Sequence, residues 1–241
     1  MSDALKFEQD GAIARLTIDR PDAGNMFTLD MVREVAEMVA RAGADSATKA
    51  IVLRGEGDDF CRGRDLSAAP EHGPTTAMEM RTALMAPILG AYAAIKGAPV
   101  PVIAVVRGLA NGFGCALAAV CDVTIAAADA RFALPEMKND LPPTLAMYAH
   151  LDRIPTKSLL WLVYSTGQID AAQALAHGLV SHVAPDAELD QTVEDFLAQL
   201  TACDREAIVT CKSYLGHARQ MDSAAASDLA GNLLSVVLSS R

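Results

Sequence analysis

PVIAVVRGLANGFGCALAAVCD, residues 101–122, passes from an unbroken apolar run through three glycines into an alanine-rich segment. An apolar run of this length that ends in glycine suits a strand covered on both faces. Alanine is the strongest helix former, so a helix begins near Phe113. Gly108, Gly112 and Gly114 then mark a tight strand-to-helix turn, which close packing of helix on sheet explains as well as a site does. The first helical turn has no acid, base or nucleophile, so chemistry at this point would rest on backbone groups. Two side-chain readings fail on spacing. A dinucleotide fingerprint needs glycine where Leu117 stands, and a cysteine nucleophile elbow around Cys115 needs glycine at Phe113 and Leu117.

Working outward, AIVLRGEG (50–57) and VTIAAADA (123–130) have the same apolar character, and AIARLTIDRP (12–21) alternates apolar and polar residues. TLDMVREVAEMVARAG (28–43) repeats apolar residues at helical spacing behind Thr28, a natural N-cap. A second helical stretch covers 76–96. Strands separated by helices in this order predict parallel neighbours joined by right-handed crossovers. After Pro155 the punctuation marks helices: TKSLLWLVYSTG, DAAQALAHG, AELDQTVEDFLAQL, DREAIVTCKSYLG and a final apolar one running to residue 241. An α/β core is therefore expected over 1–185 and a helical region over 186–241. The final segment DLAGNLLSVVLSS is apolar enough to need a covering surface, which suggests oligomerisation.

The 241 residues suit one large domain, and 51% hydrophobic with 21% charged residues is the profile of a soluble globular chain. A formal charge of −10 opposes a nucleic-acid partner, which calls for a basic face. No run of about 18 apolar residues is present to span a bilayer. The start MSDALKFEQDG lacks the basic and apolar regions of a secretory signal, so a cytoplasmic location is expected. Five cysteines, odd in number and without a C-x-x-C pair, predict neither disulfides nor zinc.

Three stretches in order, FCRGRDL (60–66), the 101–122 segment and ARFALPEMKNDLPP (130–143), resemble the crotonase, or enoyl-CoA hydratase/isomerase, superfamily. The resemblance extends to the strand ending in Arg20-Pro21, to TGQIDAAQALAHGLVSHV and to CKSYL. It implies an α/β crotonase-like spiral of ββα units with a helical C-terminal region used for homotrimers or dimers of trimers. It also implies a thioester enzyme in which the backbone N–H groups of Arg64 and Phe113 form an oxyanion hole for an acyl-CoA carbonyl. Preorganised donors of this kind stabilise the charge that develops on an enolate oxygen, and losing one costs roughly 3 to 4 kcal/mol. A main-chain donor tolerates phenylalanine at position 113, where the family commonly has glycine.

The resemblance places one proton-moving glutamate at Glu136, within LPEMKND. The other glutamate of family hydratases is replaced by Ala116. A loop glutamate is ordinarily a solvated acid, but Phe132, Leu134, Met137 and Leu141 surround Glu136 with apolar side chains and should raise its pKa. Asp140, where the family usually has glycine, reads either as a second polar group or as a loop cap. Asn111 either aims its amide at the substrate or caps its turn. Thr144 stands where some relatives carry an aspartate. Family analogy assigns coenzyme A contacts to Ala23, Arg62, Arg64, Asp65, Leu66, Asn111, Gly112 and Lys212, although exposed arginines are usually just solvated. Met78, Met80, Met85, Pro87 and Leu89 form either an acyl wall or ordinary helix core. No metal and no cofactor beyond the coenzyme A of the substrate is implied. The resulting expectation is enolate chemistry on an acyl-CoA thioester, with isomerisation ahead of hydration. The alternatives are a non-catalytic acyl-CoA-binding relative, or a single-glutamate hydratase or lyase acting on an aromatic or cyclic acyl-CoA.

Overall fold

The computed structural model describes residues 4–67 and 73–239. Nine strands occur among them: β1 (Leu5–Asp10), β2 (Ile13–Ile18), β3 (Ala50–Gly55), β4 (Val102–Val106), β5 (Leu109–Asn111), β6 (Val123–Ala127), β7 (Arg131–Ala133), β8 (Gln168–Asp170) and β9 (His182–Ala184). The main sheet has the order β1-β2-β3-β4-β6-β9. Only the β1–β2 pair is antiparallel; the remaining neighbours are parallel, as the apolar runs predict. All five residues of β4 and the first four of β3 are buried, as befits strands covered on both faces.

A second, smaller sheet has the order β5-β7-β8. Isolated bridges Cys61↔Ala110 and Phe27↔Arg64 continue its pattern towards the earlier chain. Each long strand is thus followed by a short extended piece and then by a helix, which makes a spiral of ββα turns. The first turn ends in α1 (Leu29–Ala44), whose start is capped by Thr28 Oγ1 accepting from the Met31 N–H at 3.3 Å. The second ends in α2 (Ala77–Met80), a π-helical Arg81–Met85 segment and α3 (Ala86–Gly97). The third ends in α4 (Phe113–Val120), buried along its whole length.

The remaining helices are α5 (Thr144–His150), α6 (Thr156–Ser165), α7 (Ala171–Ala176), α8 (Leu189–Thr201), α9 (Arg205–Ala218) and α10 (Ser223–Ser239). The residues beyond 185 do not act as one unit. Leu189, Val193 and Leu197 of α8 pack on Val52, Ile103, Val105 and Ile125, so α8 covers the second face of the main sheet and belongs to the core. In contrast, α10 buries no residue and meets the rest of the chain mainly through α9. Among the described residues no helix is long and apolar enough to cross a membrane. All five cysteines are free; Cys61, Cys115 and Cys121 are buried, while Cys203 and Cys211 are exposed.

Candidate active site

The site is assembled where the segment after β3 runs beside β5 and the start of α4. The Cys61 N–H donates to the Leu109 carbonyl at 3.0 Å, and the Asn111 N–H returns a bond to the Cys61 carbonyl at 2.9 Å. The approach is so close that any side chain at Gly114 would collide with the Cys61 carbonyl oxygen. On its other side the segment is tied to Phe27, which donates to Gly63 O at 3.0 Å and accepts from the Asp65 N–H at 2.8 Å. Arg64 sits between these bonds. Among the described residues its N–H donates no hydrogen bond, and neither does that of Phe113, which as the first residue of α4 has no partner one turn earlier.

Glu136 reaches the same turn from β7. The Gly112 N–H donates to the Ala133 carbonyl at 2.9 Å, which fixes the end of β7 beside the glycines and brings the short 3-10 turn Glu136–Asn139 with it. Gly112 has φ +52, a conformation that favours glycine, and a Cβ there would lie 3.0 Å from Glu136 Oε1, so a side chain would also press on the carboxylate. The other oxygen, Oε2, is buried without a hydrogen-bond partner. Burial raises the Glu136 pKa above its ordinary value, with a smaller opposing effect from its own backbone N–H. Phe132 and Leu134 supply the apolar cover; Met137 and Leu141, also expected there, are exposed instead.

Tyr92 of α3 was not singled out by the sequence. Its ring stacks on Phe113 at 5.9 Å, and Phe27 also meets Phe113, tilted, at 5.2 Å. Tyr92 is 1% exposed, and its hydroxyl makes no hydrogen bond among the described residues. Burial, then the charge of Glu136, hold its proton on more tightly than usual, whereas Arg64 acts the opposite way. A lone hydroxyl among Ile88, Ala91 and Ile95 on the buried face of a helix was the available signal.

The sequence model of the enoyl-CoA hydratase/isomerase family matches residues 8–240. The chain belongs to that family. It is 29% identical over 219 residues to the short-chain-enoyl-CoA hydratase of Clostridium acetobutylicum, covering 89% of this chain and 82% of that one. It is 33% identical over 193 residues to a probable enoyl-CoA hydratase of Rhizobium meliloti, covering 79% and 73%. Among solved structures, the Mycobacterium smegmatis enoyl-CoA hydratase superposes with TM-score 0.91 at 28% identity, over 98% of this chain and 91% of that one. A putative enoyl-CoA hydratase from Thermobifida fusca in complex with acetoacetyl-CoA gives 0.88 at 29% identity, over 99% and 96%. The crotonase fold expected from the motifs is the fold observed.

Within this enoyl-CoA hydratase/isomerase fold the other expected residues divide by task. The turn Pro21–Ala23 lies against the loop after β3, because Arg62 N donates to Gly24 O at 2.9 Å; Ala23 and Arg62 are therefore neighbours at one rim. Arg62 is exposed and paired with Asp59 at 2.5 Å. Asp65 instead anchors the loop: it accepts from the Ser67 hydroxyl and N–H and from Arg20, which pull its pKa down to about 2. Leu66 is exposed. Asn111 caps the turn by donating from Nδ2 to the Arg62 carbonyl at 3.2 Å. Asp140 ends the Glu136 turn in the left-handed conformation, φ 56, and is exposed, a conformation that glycine and aspartate adopt most readily. Ala116 is fully buried. Met78 and Met80 are exposed rather than core.

Lys212, expected near coenzyme A, is held by the fold itself while lining a cavity between α9, α3 and α8. Its ammonium donates to Ile95 O at 3.2 Å, Val100 O at 3.1 Å and Asp122 Oδ2 at 2.6 Å. Three acceptors satisfy its three protons, so Lys212 ties α9 to the end of α3, to the segment before β4 and to Asp122 at the start of β6.

Proposed function

We propose that this protein is an acyl-CoA enzyme that moves the double bond of an enoyl-CoA thioester through an enolate. The observation that carries this reading is the buried, unpartnered oxygen of Glu136 beside the glycine turn. In this reading the Arg64 and Phe113 N–H groups hold the thioester oxygen. The Glu136 carboxylate takes a proton from C2 of a 3-enoyl thioester, the charge passes to the thioester oxygen, and the same carboxyl returns the proton to C4. One carboxylate suffices, and Ala116 leaves no second one on α4. The CoA-bearing substrate is supported by the acetoacetyl-CoA complex of the Thermobifida fusca relative. No cofactor besides that coenzyme A enters the reading, and α10, without a buried residue, supports homotrimer or dimer-of-trimers assembly.

Hydration is the second reading. The Tyr92 hydroxyl, under the influence of Glu136, can hold a water beside it, and the relatives named above are hydratases. Incubation with 2-enoyl-, 3-enoyl- and 3-hydroxyacyl-CoA thioesters separates the two. An unchanged mass with a moved double bond marks isomerisation, and addition of water marks hydration. Glu136→Gln is expected to abolish either. Binding without turnover in the wild type would instead favour a non-catalytic relative.

A further inference from the structure

Arg64 contributes more than its backbone N–H. Its side chain is half-buried, its Nε is fully buried without a hydrogen-bond partner, and no acid pairs with it among the described residues. Burial is the main influence on the guanidinium, followed by Tyr92; the remaining one is a second cation, Arg33 of α1. Arg33 itself reaches Asp30, one turn away on the exposed side of α1, at 2.8 Å. A half-buried guanidinium whose Nε has no partner and that no acid neutralises is an unfavourable arrangement unless an anion completes it.

Neighbouring groups show which end of a thioester would bring that anion. Arg62 is the outward arginine of this loop, exposed and already paired with Asp59, and it lies beside the Ala23 turn. Arg64 is the inward one. Its Nε is sealed from solvent, and the preceding Gly63 lies so close to the Asn111 carbonyl that a Cβ there would be 3.4 Å from it, so this part of the loop borders the glycine turn that Glu136 also approaches. We propose that Arg64 forms an anion subsite for a carboxylate on the acyl group, so that the preferred substrate is the CoA thioester of a dicarboxylic acid. The inference rests on the acyl-CoA reading above and names its substrate class. A planar guanidinium meets a carboxylate in bidentate fashion, which suits discrimination between an acyl chain that ends in a carboxylate and one that ends in a methyl group. The net charge of −10 makes such a preference telling, because the chain as a whole repels an extra negative charge.

Calorimetric titration of the full chain with four saturated ligands, free CoA, butyryl-CoA, succinyl-CoA and glutaryl-CoA, reads the subsite without requiring turnover. Succinyl- or glutaryl-CoA is expected to bind roughly tenfold or more tightly than butyryl-CoA, in keeping with a charge-assisted hydrogen bond. Arg64→Met should bring that ratio to about one, and Arg64→Lys should keep part of it, both variants being checked for native circular dichroism. Equal affinities for all acyl ligands in the wild type would overturn the proposal. So would an Arg64→Met loss that is the same for free CoA, which would make Arg64 a phosphate contact. The two readings fail separately: absence of turnover with every enoyl thioester refutes the enzyme, while the ratio of affinities still decides the subsite.

Discussion

Burying the Glu136 carboxyl with one oxygen unpaired ties its reactivity to stability with a definite sign. The folded pKa lies above the unfolded one, so between the ordinary value of 4.5 and the raised value the folded state binds more protons. Stability therefore falls as pH rises through that window, and at pH 7 the carboxylate is a net burden on the fold. Glu136→Gln removes the burden together with the proposed base. Thermal unfolding at pH 7 is expected to show a higher Tm for Glu136→Gln than for the wild type, with the gap closing as pH is lowered through the window; an equal or lower Tm at pH 7 would contradict it. The proposed mechanism needs Glu136 ionised, so the acidic limb of the kcat/KM profile should lie above 4.5. The burial of the Glu136 carboxyl was legible in part, from Phe132 and Leu134, whereas Met137 and Leu141 turn outward. Tyr92 was not, since a tyrosine in a helical run looks like core until Phe113 and Glu136 are seen around it. The structural ties of Lys212 were not legible either: the carbonyls of Ile95 and Val100 that it meets leave no mark in the sequence.

Elements were readable in proportion to their length and periodicity. The apolar runs that became β3, β4 and β6 and the capped repeat of α1 carry many residues' worth of pattern, whereas β5, β7, β8 and β9 have three residues each and no period to detect. Strand β1 is an edge strand with one buried residue in LKFEQD, so its pairing with β2 outweighs its polar composition. The amphipathic face of α8 was visible, but not that a sheet would cover it. Two helices lend themselves to tests. Removing the ammonium that holds α9, in Lys212→Met, leaves Asp122 with Arg153 at 3.8 Å as its remaining cation, and should cost about 2 to 3 kcal/mol in urea unfolding. Calorimetry should find CoA affinity unmoved; a parallel loss of affinity would return Lys212 to the ligand set. Helix α5 is tied to α4 by His150, which is fully buried, with Nδ1 2.7 Å from the Ala146 carbonyl and Nε2 3.6 Å from Cys115 Sγ. The carbonyl fixes the proton on Nδ1, leaving Nε2 to accept. Burial pushes the His150 pKa down to about 4 from 6.5, so the unfolded chain binds the extra proton first and stability is lost as pH falls from 6.5 towards 4. The full loss is about 3 kcal/mol. Replacing His150 by Gln should flatten that part of the stability curve, and an unchanged slope would show that other groups control it.

At the scale of the molecule, apolar surface and charge pull against each other. Trp161 and Tyr164 are 65% and 70% exposed on α6, and Leu234 and Leu238 are each 59% exposed on α10, a 17-residue helix that buries nothing in the single chain. A helix of that length gains most of its stability from a packed apolar face, so α10 needs a surface beyond α9. Copies of a chain with charge −10 repel one another, and association must then be driven by apolar burial rather than by ion pairs. Leu234 and Leu238 lie one helical turn apart and present one continuous edge for such a contact. In the proposed homotrimer this edge is the contact between copies. Sedimentation equilibrium should give three times the single-chain mass, and Leu234→Glu with Leu238→Glu should lower it to one, because each carboxylate would have to be desolvated against a second copy. High salt screens the repulsion between chains without weakening apolar contact, so it should tighten the wild-type assembly. Dissociation in salt would mean that ion pairs hold the copies together, and a wild type that sediments as a single chain would leave α10 with some other cover.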